Sequence, residues 1–376
     1  MRVGLVGVGR AGGAIVDELA ATAERSRVSP VGAAVAVDTD EESLAELSTV
    51  PTDHRTLVGR VETGGRGTDG DQERAVAVAG EAEAELRTAL DVLPTTTDAV
   101  FVVAGLAGGT GGGLGPCLTD LLVETTTQPV YGVGVLPSDA EDDAGEHAAR
   151  AMRGLRALRE PTADVLLVDL DEWRRTDANV ETAYPPSNAA AADALWSIVA
   201  ASELDGNAPV PERTLDASEV INTLQGDGVA TLARATNDLP TDDDGAGLLE
   251  RARGLLGDST PDVDDVTANR LITTTTREAL GSNAFLGGVD AAARAAVVVD
   301  APAPFLRREG IQSATGIVED ETGSVAVRAG DRPRPTSDVL GTTVLLAGVT
   351  GVSRLDELER RTRAYLDETD TDRSVD

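Results

Sequence analysis

Lysine is absent from this 376-residue sequence, so apart from two histidines every basic side chain is an arginine. Asp and Glu outnumber Lys and Arg by 65 to 32, for a formal net charge of −33. A chain this acidic lacks the basic face that neutralises phosphates, which argues against a nucleic-acid partner. The charge fits a halophilic protein in a salt-rich cytosol, where screening weakens self-repulsion. Cys117 is the only cysteine, so an intrachain disulfide is excluded and a reducing compartment is indicated. Aromatics make up only 2%, so the core must be built from Ala, Val, Leu and Ile. No apolar run reaches the ~18 residues of a membrane span. The sequence opens on an apolar strand without a signal-peptide pattern, and the expectation is a soluble cytoplasmic protein.

Glycine is plentiful, and its densest stretch is Val102–Pro116, V-V-A-G-L-A-G-G-T-G-G-G-L-G-P. An apolar run from Asp98 precedes it and reads as a buried strand. Gly108, Gly109, Thr110, Gly111, Gly112 and Gly113 form the loop, and Pro116 is expected to open the helix that follows. Backbone N–H groups without Cβ atoms beside them can close on anionic oxygens, and a helix N-terminus adds partial positive charge. The alternative, a flexible glycine linker, fits poorly between a buried strand and an apolar helix.

A second strand–glycine turn–helix stands at the start. Met1–Val6 is followed by Gly7, Gly9, Arg10, Ala11, Gly12 and Gly13, then by a helical pattern through Ile15, Val16 and Leu19. Strand Val31–Val37 ends in Asp38-Thr-Asp40, acids that could meet a ribose, a hydrated magnesium ion, or the next helix as its cap. Gly59–Gln72 is too rich in Gly and Asp to pack, which implies a mobile loop or one held by a ligand. A helix over Glu73–Leu93, strand Val130–Leu136, helix Gly145–Leu158 and strand Asp164–Leu170 complete an alternating pattern. Glycine and acidic loops follow strand C-termini, the arrangement of an open α/β sheet with its ligand at that edge. Two glycine loops suit a nucleotide with several phosphates. Without lysine no Walker-type loop is possible.

Beyond Tyr184-Pro-Pro-Ser-Asn188 a long helix is expected over Ala189–Glu203, ended by Gly206–Pro209. Asp216 and Glu219 then stand three apart before a helix, spacing that fits a capping box or a shared acidic face. An acidic hinge at Asp242–Asp244 precedes a helix over Gly245–Leu256. Helix Ala268–Leu280 leads to strands Ala295–Val299, Gly316–Asp320, Ser324–Arg328 and Thr343–Ala347. Helix Leu355–Leu366 comes last, with Asp367–Asp376 as a disordered charged tail.

Three stretches, Gly7–Gly13, Ala107–Gly113 and Leu215-Asp-Ala-Ser-Glu-Val-Ile-Asn-Thr-Leu224, together resemble the tubulin/FtsZ superfamily, most closely its archaeal CetZ branch. The resemblance implies a Rossmann-like α/β GTPase domain with a mostly parallel sheet, a long central helix and a smaller α+β C-terminal domain. The expected divisions are 1–183, 184–206, 207–350 and 351–376. It implies GTP or GDP as ligand, with magnesium bound through phosphates and water rather than a dedicated protein metal site. By the same resemblance Arg10–Gly13 and Gly108–Gly113 hold phosphates, Glu141 meets the ribose, Tyr184 stacks on guanine and Asn188 bonds its edge. Asp216 and Glu219 correspond to acids that a neighbouring copy inserts toward the γ-phosphate, where they orient the attacking water.

The implied function is a head-to-tail cytoskeletal GTPase that controls cell shape, hydrolysing slowly and only when assembled. Its partner is itself, with other tubulin-like proteins as further candidates. Three positions depart from the family pattern: Ala107 replaces a glycine, Gly112 a hydroxyl residue, and Leu170 a second base-recognising asparagine. These departures leave open a non-polymerising regulator that only holds nucleotide. An NAD(P)-dependent dehydrogenase, read from Gly7–Gly13 alone, would need a catalytic base in the second half, where no histidine occurs.

Overall fold

Ten strands make one sheet in the order β3-β2-β1-β4-β5-β6-β7-β10-β8-β9. The computed structural model describes every residue except 27, 142–144, 163, 174–179, 204–208, 227, 241–262, 283–291, 325 and 374–376. The strands are β1 Val3–Val8, β2 Val31–Asp38, β3 Arg55–Leu57, β4 Ala99–Gly105, β5 Val130–Leu136, β6 Asp164–Asp169, β7 Gly228–Asp238, β8 Arg294–Ala301, β9 Val327–Pro333 and β10 Val339–Val349. From β3 to β7 every neighbour is parallel. Strand β10 runs antiparallel to both β7 and β8, and β9 pairs parallel with β8. β1, β5 and β6 are buried along their whole length. Continuous Val and Leu runs of this kind suit parallel strands covered on both faces.

Twelve helices are present among the described residues: α1 Gly9–Arg25, α2 Glu41–Glu46, α3 Arg60–Thr63, α4 Gln72–Glu81, α5 Glu83–Leu90, α6 Gly109–Thr125, α7 Glu146–Arg159, α8 Val180–Val199, α9 Ala217–Thr223, α10 Asp265–Ser282, α11 Arg308–Thr322 and α12 Ser353–Arg373. The expected open, mostly parallel α/β sheet is therefore present. Its first seven strands in spatial order share one C-terminal edge, and both glycine turns lie there.

The opposite edge is marked by the chain's first residue. The Met1 amino group donates to the Val199 carbonyl at 2.9 Å and pairs with Glu203 at 3.2 Å, so the last turn of α8 lies where β1 begins. Helix α9 precedes β7, whose first residue pairs with Asp164 at the start of β6. Asp216 and Glu219 thus stand at the edge opposite the glycine turns.

Several local expectations change. Pro116 lies inside α6 instead of opening it. Glycines 111 to 113 pack so tightly on their neighbours that tertiary contact imposes the helical path, overriding poor propensity and the missing proline N–H. The 59–72 segment packs after all: Thr63, Thr68 and Gln72 are buried, Gly67 N donates to Thr39 O at 3.0 Å, and Glu41 N donates to Gly65 O at 2.9 Å. The helix expected over 73–93 is broken at Ala82 into α4 and α5. Helix α8 starts before Tyr184, carries Pro185 and Pro186, and ends at Val199, where the Met1 amino group takes its carbonyl.

The strand expected at 316–320 is part of α11. Ile311, Ala314 and Val318 are buried at three- and four-residue spacing, a helical face that short apolar pairs disguised. Strand β9 lies further along than expected because it includes the buried polar residues Asp331 and Arg332. Strands β3 and β7 had no strong local signal. The charged tail continues the last helix through Arg373, after a stretch that carries Arg361–Glu357 and Arg363–Glu359 pairs at 2.8 and 3.0 Å one turn apart. The hinge at 242–244 and the helix at 245–256 lie outside the described residues, as does the side chain of Glu141.

Candidate functional site: two helix N-termini facing one acidic turn

At the C-terminal edge of β1 and β4 two helices begin side by side. Helix α1 opens at Gly9, whose φ of 69° favours a residue without Cβ. A Cβ on Gly12 would overlap the Val103 carbonyl oxygen, and one on Gly9 would sit 3.0 Å from the Gly111 nitrogen. Gly9, Arg10, Ala11 and Gly12 are thus the first turn of a helix pressed onto β4 and α6, not a free loop; Gly7 ends up inside β1, and Gly13 continues α1. Helix α6 opens in the same way at Gly109, with Gly108 as its cap residue and Thr110 and Gly111 following. The first N–H groups of each helix have no intrahelical acceptor. Two such termini together favour an anion.

Hydroxyl and acid groups stand at the rim of these termini. Thr39 Oγ1 and Thr110 Oγ1 are 2.7 Å apart. Asp38, almost fully buried, accepts from Thr39 N at 2.7 Å and Asp40 N at 3.1 Å. Burial pushes its carboxyl up to about 6, with these N–H groups opposing the rise. Asp40 rather than Asp38 caps α2, accepting from Glu42 N at 3.1 Å. Arg10 reaches across to it at 3.2 Å and donates to Ser43 Oγ at 3.0 Å. The Thr68 hydroxyl lies beside Gly109, buried with no partner.

The departures from the family pattern have visible consequences. A Cβ on Gly112 would collide with the Gln72 amide and approach the Leu106 carbonyl oxygen within 2.5 Å, leaving no room for a hydroxyl residue. Gln72 Nε2 donates to Leu106 O at 2.9 Å and Arg150 O at 3.0 Å, tying the turn before α6 to α7. Gly113 packs against Gln72 and Ala75, and Ala107 is buried in the turn. Leu170 is buried in the core. Tyr184 is half-buried and packs on that same core. The side-chain oxygen of Asn188 is buried without a donor. An unmet buried acceptor costs about 1–3 kcal/mol, so this atom suits an edge that donates, as a purine's does.

Across the sheet, Asp216 Oδ1 accepts from Glu219 N at 2.9 Å and Ser218 Oγ at 2.7 Å. Glu219 Oε2 accepts in return from Asp216 N at 3.0 Å, which completes a capping box. The Ser218 hydroxyl and the Glu219 N–H hold the Asp216 carboxyl below its usual range, and the chain's amino terminus acts in the same direction. Both acids are accessible. Nothing in the same chain brings them to the glycine turns.

Sequence reasoning missed Thr39, Thr68 and Gln72. The first stands in plain view between Asp38 and Asp40, but nothing local distinguishes the other two from loop residues. Among the described residues no helix is long and apolar enough to cross a membrane.

Residues 2–176 match the GTPase domain of the tubulin/FtsZ family, and residues 177–364 match the C-terminal domain of tubulin-like CetZ. Tubulin-like protein CetZ5 of Haloferax volcanii is 37% identical over 360 residues, covering 95% of this chain and 90% of that protein. The GDP-bound CetZ1 monomer of the same organism superposes with a TM-score of 0.80 at 31% identity, covering 96% of this chain and 98% of that one. The GTPγS-bound CetZ2 protofilament gives 0.81 at 31% identity, covering 98% and 100%. A dehydrogenase reading falls with these matches. Paired glycine-lined helix starts on one edge and a capped acid pair on the other are carried on a chain that belongs to the tubulin/FtsZ family, in its CetZ branch.

Proposed function

We propose that this chain binds GTP between the starts of α1 and α6 and hydrolyses it when a second copy brings Asp216 and Glu219 to that nucleotide. The observation that carries the reading is the separation of the two sites to opposite edges of one sheet. Stacking copies head to tail along the strand direction joins them, whereas a single copy cannot. The residues assigned to the phosphates are Gly9–Gly13 and Gly108–Gly113, with Thr110 and Asp38 at the rim. Tyr184 is assigned to the base face and Asn188 to its edge, while Glu141 is assigned to the ribose. The divisions 1–183, 184–206, 207–350 and 351–376 remain our working description of the units.

GTP supplies the phosphoanhydride bond, and magnesium would reach it mainly through phosphate oxygens and water. The chain's own work is positioning. Helix N-termini hold the anion without ordering long side chains, and the accessible carboxylates of the next copy orient a water for in-line attack. Because Asp216 and Glu219 already satisfy each other's backbone, they need no partner to keep their shape. The implied cellular role is control of cell shape from the cytoplasm, through filaments of this chain and contacts with related filaments.

The test is sedimentation and phosphate release with GTP and magnesium at molar salt. Wild type should pellet and turn over. Glu219→Gln should still retain nucleotide and pellet while phosphate release drops by about 100-fold, the scale on which oriented catalytic groups act. A wild type that holds nucleotide but neither pellets nor hydrolyses would instead be a regulator of other filaments.

A further inference from the structure

One buried arginine on the C-terminal helix fastens the turns that follow β5 and β6. Arg354 lies in the first turn of α12 and is only 7% exposed. It donates from Nε to Asp169 Oδ2 at 3.0 Å and from Nη2 to the Pro137 carbonyl at 2.9 Å, and it also bonds Asp139. Asp169 is the last residue of β6, while Pro137 and Asp139 follow β5 directly. The same turn is tied a second time. Ser138 Oγ donates to Asp171 Oδ1 at 2.7 Å, and Asp139 N donates to Asp171 Oδ2 at 2.8 Å. Arg361, two turns along α12, reaches Asp139 at 2.9 Å.

Helix α12 also occupies the far side of this turn. Gly145 has a φ of 83°, and a Cβ there would stand 2.8 Å from the Arg361 carbonyl oxygen and 3.1 Å from Tyr365. So tight an approach fixes where α7 begins. The strand between these turns and the α6 glycines is short of slack, since β5 pairs with β4 in register up to Gly105 and Leu106 N donates to Val135 O at 2.9 Å.

We infer that Arg354 is a positioning residue for nucleotide retention: through it, the C-terminal helix holds the turns after β5 and β6 at the wall of the nucleotide site. This rests on the placement of GTP given above. Asp169 shows why the link must be kept. Burial pushes its carboxyl up to about 6, with Arg354 opposing the rise. Without the guanidinium, that carboxylate loses the cation that pairs with it at 3.0 Å, and a buried unpaired charge rearranges or takes a proton. Loss of the same guanidinium frees the Pro137 carbonyl and removes one of the ties on Asp139, leaving Arg361 and Asp171 to hold that turn.

The experiment uses the full chain and the fluorescent nucleotide mant-GDP at molar salt, with circular dichroism to follow folding. Arg354→Ala should weaken retention by about tenfold, mainly through faster release, a typical size for coupling between distinct sites. Turnover per pelleted subunit at saturating GTP should stay within about twofold, since no group that touches the phosphates is removed. Arg354→Lys should recover part of the loss, because it restores the charge without the forked geometry. If Arg354→Ala does not fold, Asp139→Asn loosens the same turn from its exposed side and should show the same direction of change. Arg363→Ala, an exposed position on α12, should change nothing. Unchanged release in a folded Arg354→Ala overturns the inference and leaves the nucleotide reading standing. A wild type that never binds mant-GDP overturns both.

Discussion

The two edges of the sheet solve opposite problems. At the glycine edge, main-chain atoms approach so closely that side chains are excluded, and polar atoms such as Asn188 Oδ1 and Thr68 Oγ1 are left without partners. At the acidic edge, Asp216 and Glu219 are accessible, yet each accepts from the other's backbone N–H. The first edge is built to be completed by a ligand, and the second is complete before any ligand arrives. Capping and catalysis therefore compete as explanations of sequence spacing but not in the structure. One pair of carboxylates does the first and remains available for the second.

The comparison breaks most sharply at the glycines. Gly12→Ala should destabilise the fold by about 3 kcal/mol, the upper range for overpacking, because its Cβ has no place to go beside the Val103 carbonyl. Gly108→Ala, whose Cβ would meet only an ordinary contact at 3.6 Å, should change stability by less than about 0.5 kcal/mol. It should still weaken nucleotide binding. Denaturant unfolding at molar salt reads the first effect and mant-GDP titration the second. Equal stability losses at the two positions would mean that the glycines serve packing alone.

Next in size is the buried acid at the ligand edge. The Asp38 carboxyl is raised from 3.8 to about 6, so the fold prefers it protonated. Its favourable contribution is present in full below about pH 4 and is lost as pH rises through about 6. Asp38→Asn should accordingly match wild type near pH 4 and exceed it by up to about 3 kcal/mol at pH 8, two pH units of linkage being worth that much. Denaturation midpoints measured across that range decide it. A constant difference at all pH values would show that the carboxyl is not held neutral by the fold.

The smallest effect separates the two roles of the acidic edge. Asp216→Ala should cost about 1 kcal/mol as a lost N-cap, whereas Asp216→Asn should cost almost nothing because an amide caps as well. Both should depress GTP turnover in pelleted protein. If Asp216→Asn hydrolyses like wild type, the residue is a cap and no more.

Much of the ligand edge was legible because its signals are local. A glycine run after an apolar strand places a helix start at a sheet edge whatever the rest of the chain does. The same local reading failed at Pro116, where the expected helix start proved to be the middle of α6, and at 59–72, where Gly and Asp suggested a loop that could not pack. In both cases the deciding contacts come from elsewhere, from Gln72 against Gly112 and from Thr39 against Gly67. The segment at 316–320 failed for another reason, since five residues are too few to tell a strand's period from a helix's.

Composition and spacing alone determined that the core is aliphatic, that a lysine-bearing phosphate loop is excluded, and that Asp216 and Glu219 share a helix start. Only the tertiary structure decided that those acids lie across the sheet from the glycines, that Gln72 fills the space over Gly112, and that Arg354 holds the turns beyond β5 and β6. Local chemistry is set by neighbours in sequence, which the chain states directly. Which distant groups meet depends on the order in which strands join the sheet, and that order comes from packing the whole.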